Sequence, residues 1–117
     1  MIKISIHNDS NENLLIKQKA IIELCSKVLD AENCNDAQID FILKDREFLN
    51  LLKKEYFKMD VYTDVMAFNL GDKNKIEGEV YISVEDVLEN SKLYSKTFNE
   101  EFLRIIIHGL LHLLGYD

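Results

Sequence analysis

Phe102-Leu103-Arg104-Ile105-Ile106-Ile107-His108-Gly109-Leu110-Leu111-His112-Leu113-Leu114, close to the end of the 117-residue chain, decides how the rest is read. Nine of these thirteen residues are large aliphatics or Phe, and the four exceptions are Arg104, His108, Gly109 and His112. A helix this oily is expected to be buried nearly all round. Arg104, His108 and His112 fall at i, i+4 and i+8 and form one polar stripe along it. Two imidazoles one turn apart are how a helix hands two nitrogens to one metal ion. A lone His on an apolar helix is ordinarily a satisfied core histidine; the pair shifts the reading of His108 and His112 to metal ligation. Gly109, between them, is expected to leave room beside the rings. It also stands where H-E-x-x-H metallopeptidases carry their general-base Glu, so peptide hydrolysis is disfavoured.

Working outward, Thr97-Phe98-Asn99-Glu100 is a capping box that opens the His helix, and Gly115 supplies the left-handed residue that ends it. Ser83-Val84-Glu85-Asp86 is a second box-like start, of a helix reaching about Tyr94. Ile2, Ile4 and Ile6 alternate with polar residues, the period of a strand with one buried face. Ala37 to Leu43 alternates in the same way. Ser10 is read as capping a helix that runs to about Leu29 on a stripe of Leu14, Ile21, Leu24, Cys25 and Val28. Asn33 to Asp36 is a turn, and Asp45 caps a short helix to about Tyr56. Thr63 to Leu70 and Glu79 to Ile82 are strands joined by the polar turn Gly71 to Lys75.

The resulting order, βαβαββαα, predicts an α+β fold. A strand–helix–strand start needs a right-handed crossover to a parallel neighbour, and the last two strands are close enough to pair as a hairpin. The expected sheet is mixed and four-stranded, with the His-bearing helix packed centrally and buried. Residues 1–117 carry no proline and only four glycines, which reads as a single domain without a linker.

Composition narrows the function classes. A net charge of −7 counts against indiscriminate nucleic-acid binding. Lys53, Lys54 and Lys58 form the one basic cluster, a pattern that is ordinarily a solvated helix face. No apolar run is long enough to cross a bilayer, and Met1 to His7 lacks the features of a signal peptide. Cys25 and Cys34 form no metal or redox motif and are expected to be reduced thiols, so the expected compartment is cytoplasmic.

His108-Gly109-Leu110-Leu111-His112-Leu113-Leu114-Gly115-Tyr116-Asp117 resembles the signature of the YbeY family, metal-dependent endoribonucleases of ribosomal RNA maturation. Two further stretches, in the family's order, support the resemblance. Gly78-Glu79-Val80-Tyr81-Ile82-Ser83 is similar to its G-[DE]-[IV]-x-I-[SC] strand. Asp60-Val61-Tyr62-Thr63-Asp64-Val65-Met66-Ala67-Phe68 is similar to its D-x-x-T-[DN]-V-L-S-F segment. The sequence departs from the pattern at Phe57, where the family carries an arginine facing its catalytic cleft, at Met59 for a lysine, and at Ala67 for a serine. The family's third histidine ligand would follow Asp117, where this sequence ends.

The resemblance implies the same fold and a single-strand-specific endoribonuclease acting on ribosomal RNA at the small subunit, with one Zn2+ as cofactor and no membrane partner. Zinc on two or three neutral imidazoles keeps an open position for water and lowers that water's pKa towards ~7. Asp117 is a candidate to support a ligand or to replace the absent one, although a terminal acid is ordinarily frayed. Asp64 is a candidate substrate contact, since by resemblance its strand lines the cleft; a Thr-Asp pair entering a strand is also common turn material. His7 reads as a surface residue. Two other functions stay open: a non-catalytic module of the same fold that binds RNA or ribosomal protein, and a metal-dependent hydrolase of a small substrate.

Overall fold

Alternating isoleucines and a parallel crossover do build the expected sheet. The computed structural model describes residues 1–72 and 75–116. Its elements are β1 (Ile2–Asn8), α1 (Gln18–Ala31), β2 (Ala37–Lys44), α2 (Arg46–Phe57), β3 (Val65–Asn69), β4 (Ile76–Ser83), α3 (Val84–Leu93) and α4 (Phe98–Leu113). The strands lie in the order β1-β2-β4-β3. β1 pairs parallel with β2, and β2 parallel with β4. The hairpin partners β3 and β4 are antiparallel, and β3, last in the order, is an edge strand. Lys73 and Asn74 of the predicted turn lie outside the described residues.

One face of the sheet carries the core. Ile39, Phe41 and Leu43 of β2 sit beside Gly78, Val80 and Ile82 of β4 and pack against α1, α3 and α4. The opposite face, through Phe68 and Tyr81, packs on α2. Phe48 lies 5.5 Å from Tyr81 and Tyr56 lies 5.5 Å from Phe68, between ring centroids.

Helix starts follow the capping residues where those residues are free to cap. The Asp45 carboxylate accepts the Phe48 N–H at 2.8 Å and opens α2. At α4 both halves of the box form: the Glu100 N–H reaches the Thr97 hydroxyl at 3.1 Å, and the Thr97 N–H reaches the Glu100 carboxylate at 2.9 Å. Gly115, at φ 96°, ends the helix as expected.

Ser10 does not start α1, which begins at Gln18. Its hydroxyl and N–H are instead taken up in a local turn with Asn8 and Glu12. Residues 15–17 are then held non-helical by Asn99, whose amide donates to the Leu15 carbonyl at 2.9 Å and accepts from the Lys17 N–H at 3.0 Å. Tertiary bonds have overridden a local capping signal. Within α1, Ile21 and Cys25 are buried as expected and Leu29 is buried with them, whereas Leu24, expected on the stripe, is 37% exposed.

Candidate functional site

α4 is buried along its sheet side and open along the polar stripe. Phe102, Ile105, Ile106, Gly109, Leu110 and Leu113 are buried, while Arg104, His108 and His112 are exposed. The helix is therefore not covered all round. Residues at i, i+4 and i+8 share one face, and here all three on it are exposed. The rings of His108 and His112 stack on each other, with centroids 4.6 Å apart and planes 23° from parallel. Among the described residues neither imidazole has a hydrogen-bond or ion-pair partner.

Arg104, one turn earlier, is engaged. Its guanidinium donates to the Glu101 carboxylate at 3.0, 3.2 and 2.7 Å. Glu101 is only 3% exposed, so Arg104 neutralises a buried acid and is tied to structure. Hydrogen bonding to Glu101, ahead of the cost of burial, raises the arginine's already high pKa.

Gly109 acts on the sheet rather than beside the rings. A Cβ there would come within 2.6 Å of Val80 Cγ1 and 3.3 Å of Val65 Cγ2. Gly78 mirrors it from β4: its Cβ would meet Leu113 Cδ2 at 2.7 Å and the Phe68 carbonyl oxygen at 2.8 Å. The two glycines let α4 lie close against β4 and β3. His112 is thereby set beside the open edge of the sheet, and His108, one turn back, is not among the residues that line the cleft there. The clearance that Gly109 provides is therefore toward Val80 and Val65 of the sheet, a role that its place between the two histidines did not suggest.

A cleft of about 330 Å³ runs along that edge, lined by Lys53 and Phe57 of α2, Val65, Met66, Ala67 and Asn69 of β3, and His112 and Leu113 of α4. The antiparallel ladder explains its polar wall. Ser83 donates to the Asp64 carbonyl and Leu70 to the Glu77 carbonyl, so even-numbered residues bond to β4. The N–H and C=O groups of Val65, Ala67 and Asn69 therefore point to the free edge. Of these, the Val65 carbonyl accepts the Thr63 hydroxyl at 3.2 Å.

The remaining candidates are dispersed. Asp64 is half-buried at the foot of β3, does not line the cleft, and acts electrostatically on Arg104. His7 is exposed on β1, with Nε2 3.5 Å from Asp40. Asp117 lies outside the described residues. Among the described residues no group of three His, Cys, Asp or Glu side chains converges as a metal site. The donor set is thus two imidazoles, which suits a borderline-soft ion such as zinc in kind but supplies only part of a four-coordinate shell. Sequence reading did not single out Phe57 and Lys53 as a pair in the cleft; their i, i+4 spacing on α2 was the available signal.

These features define a mixed α+β protein with an imidazole pair at a sheet edge. The family described as Endoribonuclease YbeY matches residues 5–117. An Endoribonuclease YbeY from Flavobacterium johnsoniae is 35% identical over 109 residues, which span 93% of this chain and 78% of that protein. One from Amoebophilus asiaticus is 39% identical over 100 residues, or 85% and 68% of the two chains. The solution structure of TM1509 from Thermotoga maritima is 30% identical, covers 100% of this chain and 74% of that one, and superposes with a TM-score of 0.58. The chain belongs to the YbeY family.

Proposed function

We propose that this protein is a metal-dependent endoribonuclease that cuts single-stranded RNA during ribosomal RNA maturation, in the cytoplasm. The observation that carries the reading is the stacked pair His108 and His112, exposed and, among the described residues, without a polar partner, on a helix whose opposite side is buried against the sheet. The names of the relatives support the nuclease class. Among the described residues no helix is long and apolar enough to cross a membrane.

His108 and His112 would hold the ion, zinc by the chemistry of its donors, together with groups beyond these two. When bound, the ion supplies Lewis acidity at a phosphate and acidifies a water molecule. The chain's own residues do the rest. The close packing at Gly109 and Gly78 fixes how near α4, which carries both imidazoles, lies to β4 and β3. The edge N–H groups of Ala67 and Asn69 are donors available to phosphate or ribose oxygens along the cleft. The cleft in which the strand would lie is bounded by α2, β3 and α4.

The test is cleavage of single-stranded RNA by zinc-loaded wild type and by His108→Gln and His112→Gln, with thermal melting alongside. Both variants are expected to lose cleavage while keeping the wild-type melting curve, because the replaced rings are exposed. A folded His108→Gln protein that still cleaves at the wild-type rate would overturn the reading. RNA binding by a wild type that never cleaves would favour the non-catalytic module instead.

A further inference from the structure

In a chain with 21 acidic and 14 basic residues, carboxylates intrude almost everywhere. Four other cavities each include at least one among their lining residues: Glu23 and Glu100, Glu79, Glu101, and Glu32 with Asp36. The cleft beside His112 does not. Its described lining has one formal charge, the ammonium of Lys53.

The three lysines of the basic cluster are in different states. Lys54 is exposed and pairs with Asp60 at 3.4 Å. Lys58 is the left-handed residue that ends α2, at φ 55°, and does not line the cleft. Lys53 is half-buried, and among the described residues its ammonium has no acidic partner. It rests over the ring of Phe57, with Nζ 4.8 Å from the centroid. A ring face holds a cation in place without neutralising it and without occupying its N–H donors. An ammonium kept partly out of water, lining a cleft whose described residues include no carboxylate, is matched to an anion.

We propose that Lys53, positioned by Phe57, binds a phosphodiester of the RNA strand lying along β3, next to the scissile position at the imidazoles. The proposal rests on the nuclease reading and adds the residue that fixes the strand's register. Lys53 is a substrate-binding residue, and Phe57 is a positioning residue acting through it. The open N–H groups of Ala67 and Asn69 supply further donors on the opposite wall of the same cleft.

The experiment measures binding of a short fluorescent oligoribonucleotide to the full chain as a function of salt, with melting curves for every variant. One lost phosphate contact on a single strand lowers the salt slope by roughly 0.7, equivalent to roughly fivefold weaker binding near 0.1 M salt. Lys53→Gln is expected to show both changes, Lys53→Arg to restore them, and Lys54→Gln to show neither. Phe57→Leu is expected to weaken binding by less than Lys53→Gln, and to have no further effect when combined with it. A merely structural role would shift melting without changing the salt slope. A wild-type slope in folded Lys53→Gln, or the loss falling on Lys54→Gln instead, overturns the role of Lys53 while leaving the nuclease reading intact. A wild type that binds no single-stranded RNA overturns both.

Discussion

The two ends of the polar stripe on α4 are made of the same kind of position and are used in opposite ways. At one end Arg104 makes three bonds to a buried Glu101. At the other, one and two turns on, His108 and His112 touch each other, and among the described residues neither has a polar partner. Arg104 serves stability because its partner, Glu101, lies one turn back and is buried. The imidazoles, exposed and stacked only on each other among the described residues, are free to take a ligand. Equal spacing along a helix therefore says which residues share a face; what lies opposite that face decides their function.

Substitutions can break this contrast, and the largest effect belongs to the interface beneath it. Gly109→Ala brings a methyl to 2.6 Å from Val80. Overpacking of this kind costs about 1–3 kcal/mol, and the shift of α4 is expected to weaken metal binding as well. Chemical denaturation with a parallel zinc titration checks both. A fully stable Gly109→Ala protein would mean that α4 is not held against β4 as described.

Arg104→Met comes next. It leaves the Glu101 carboxylate buried without its cation, but Arg104 is itself 54% exposed, so solvent recovers part of the loss. The expected destabilisation is about 1–2 kcal/mol, below the cost of breaking a fully buried pair. Zinc affinity should be unchanged. Loss of metal binding without loss of stability would place Arg104 with the imidazoles, and the contrast between the two ends would fail.

Thr97→Ala removes one half of the capping box, worth about 1 kcal/mol. Its pH dependence has a definite sign. Hydrogen bonds from the Thr97 N–H and hydroxyl, the former the larger cause, hold the Glu100 carboxyl below its ordinary value. A depressed carboxyl contributes stability above its unfolded pKa and loses it as pH falls through the folded one. Thr97→Ala keeps the N–H bond and removes only the hydroxyl's, so the difference from wild type should narrow by the hydroxyl's share on acidification below about pH 4.5. Denaturation midpoints at pH 7 and pH 3 check it.

The smallest effect concerns the thiols. Burial raises Cys25 to about 11, whereas Cys34 is half-buried near a surface turn. A thiol reagent at pH 8 is expected to modify Cys34 first and Cys25 only on unfolding, read by mass spectrometry. Because the Cys25 pKa is raised, its contribution to stability is complete below about pH 9 and fades as pH rises through about 11.

Much of this architecture was legible because local chemistry and global packing agree. Ile2, Ile4 and Ile6 alternate, Asp45 and Thr97 cap, and Gly115 turns left-handed where the pattern says they should. Ser10 misled because a side chain 89 residues away, Asn99, holds the approach to α1 out of the helix. Gly109 misled for a related reason: its significance lies in Val80 across an interface, which no spacing within α4 reports. The imidazole pair could be read from its i, i+4 spacing, and β3 was expected beside it by resemblance. That Lys53 and Phe57 face the same cleft depends on how α2 crosses the sheet edge, a tertiary fact.

The central claim is that His108 and His112 together bind one zinc ion. Isothermal titration of the metal-free chain with zinc, repeated for the His108→Gln/His112→Gln double variant, tests it most directly. Wild type should bind one ion per chain, with an affinity modest enough for a chelator to reverse readily, because two imidazoles supply only part of the shell. The double variant should bind none at that site while melting as wild type does. Zinc bound by the double variant with undiminished affinity, or no zinc bound by wild type, would contradict the account.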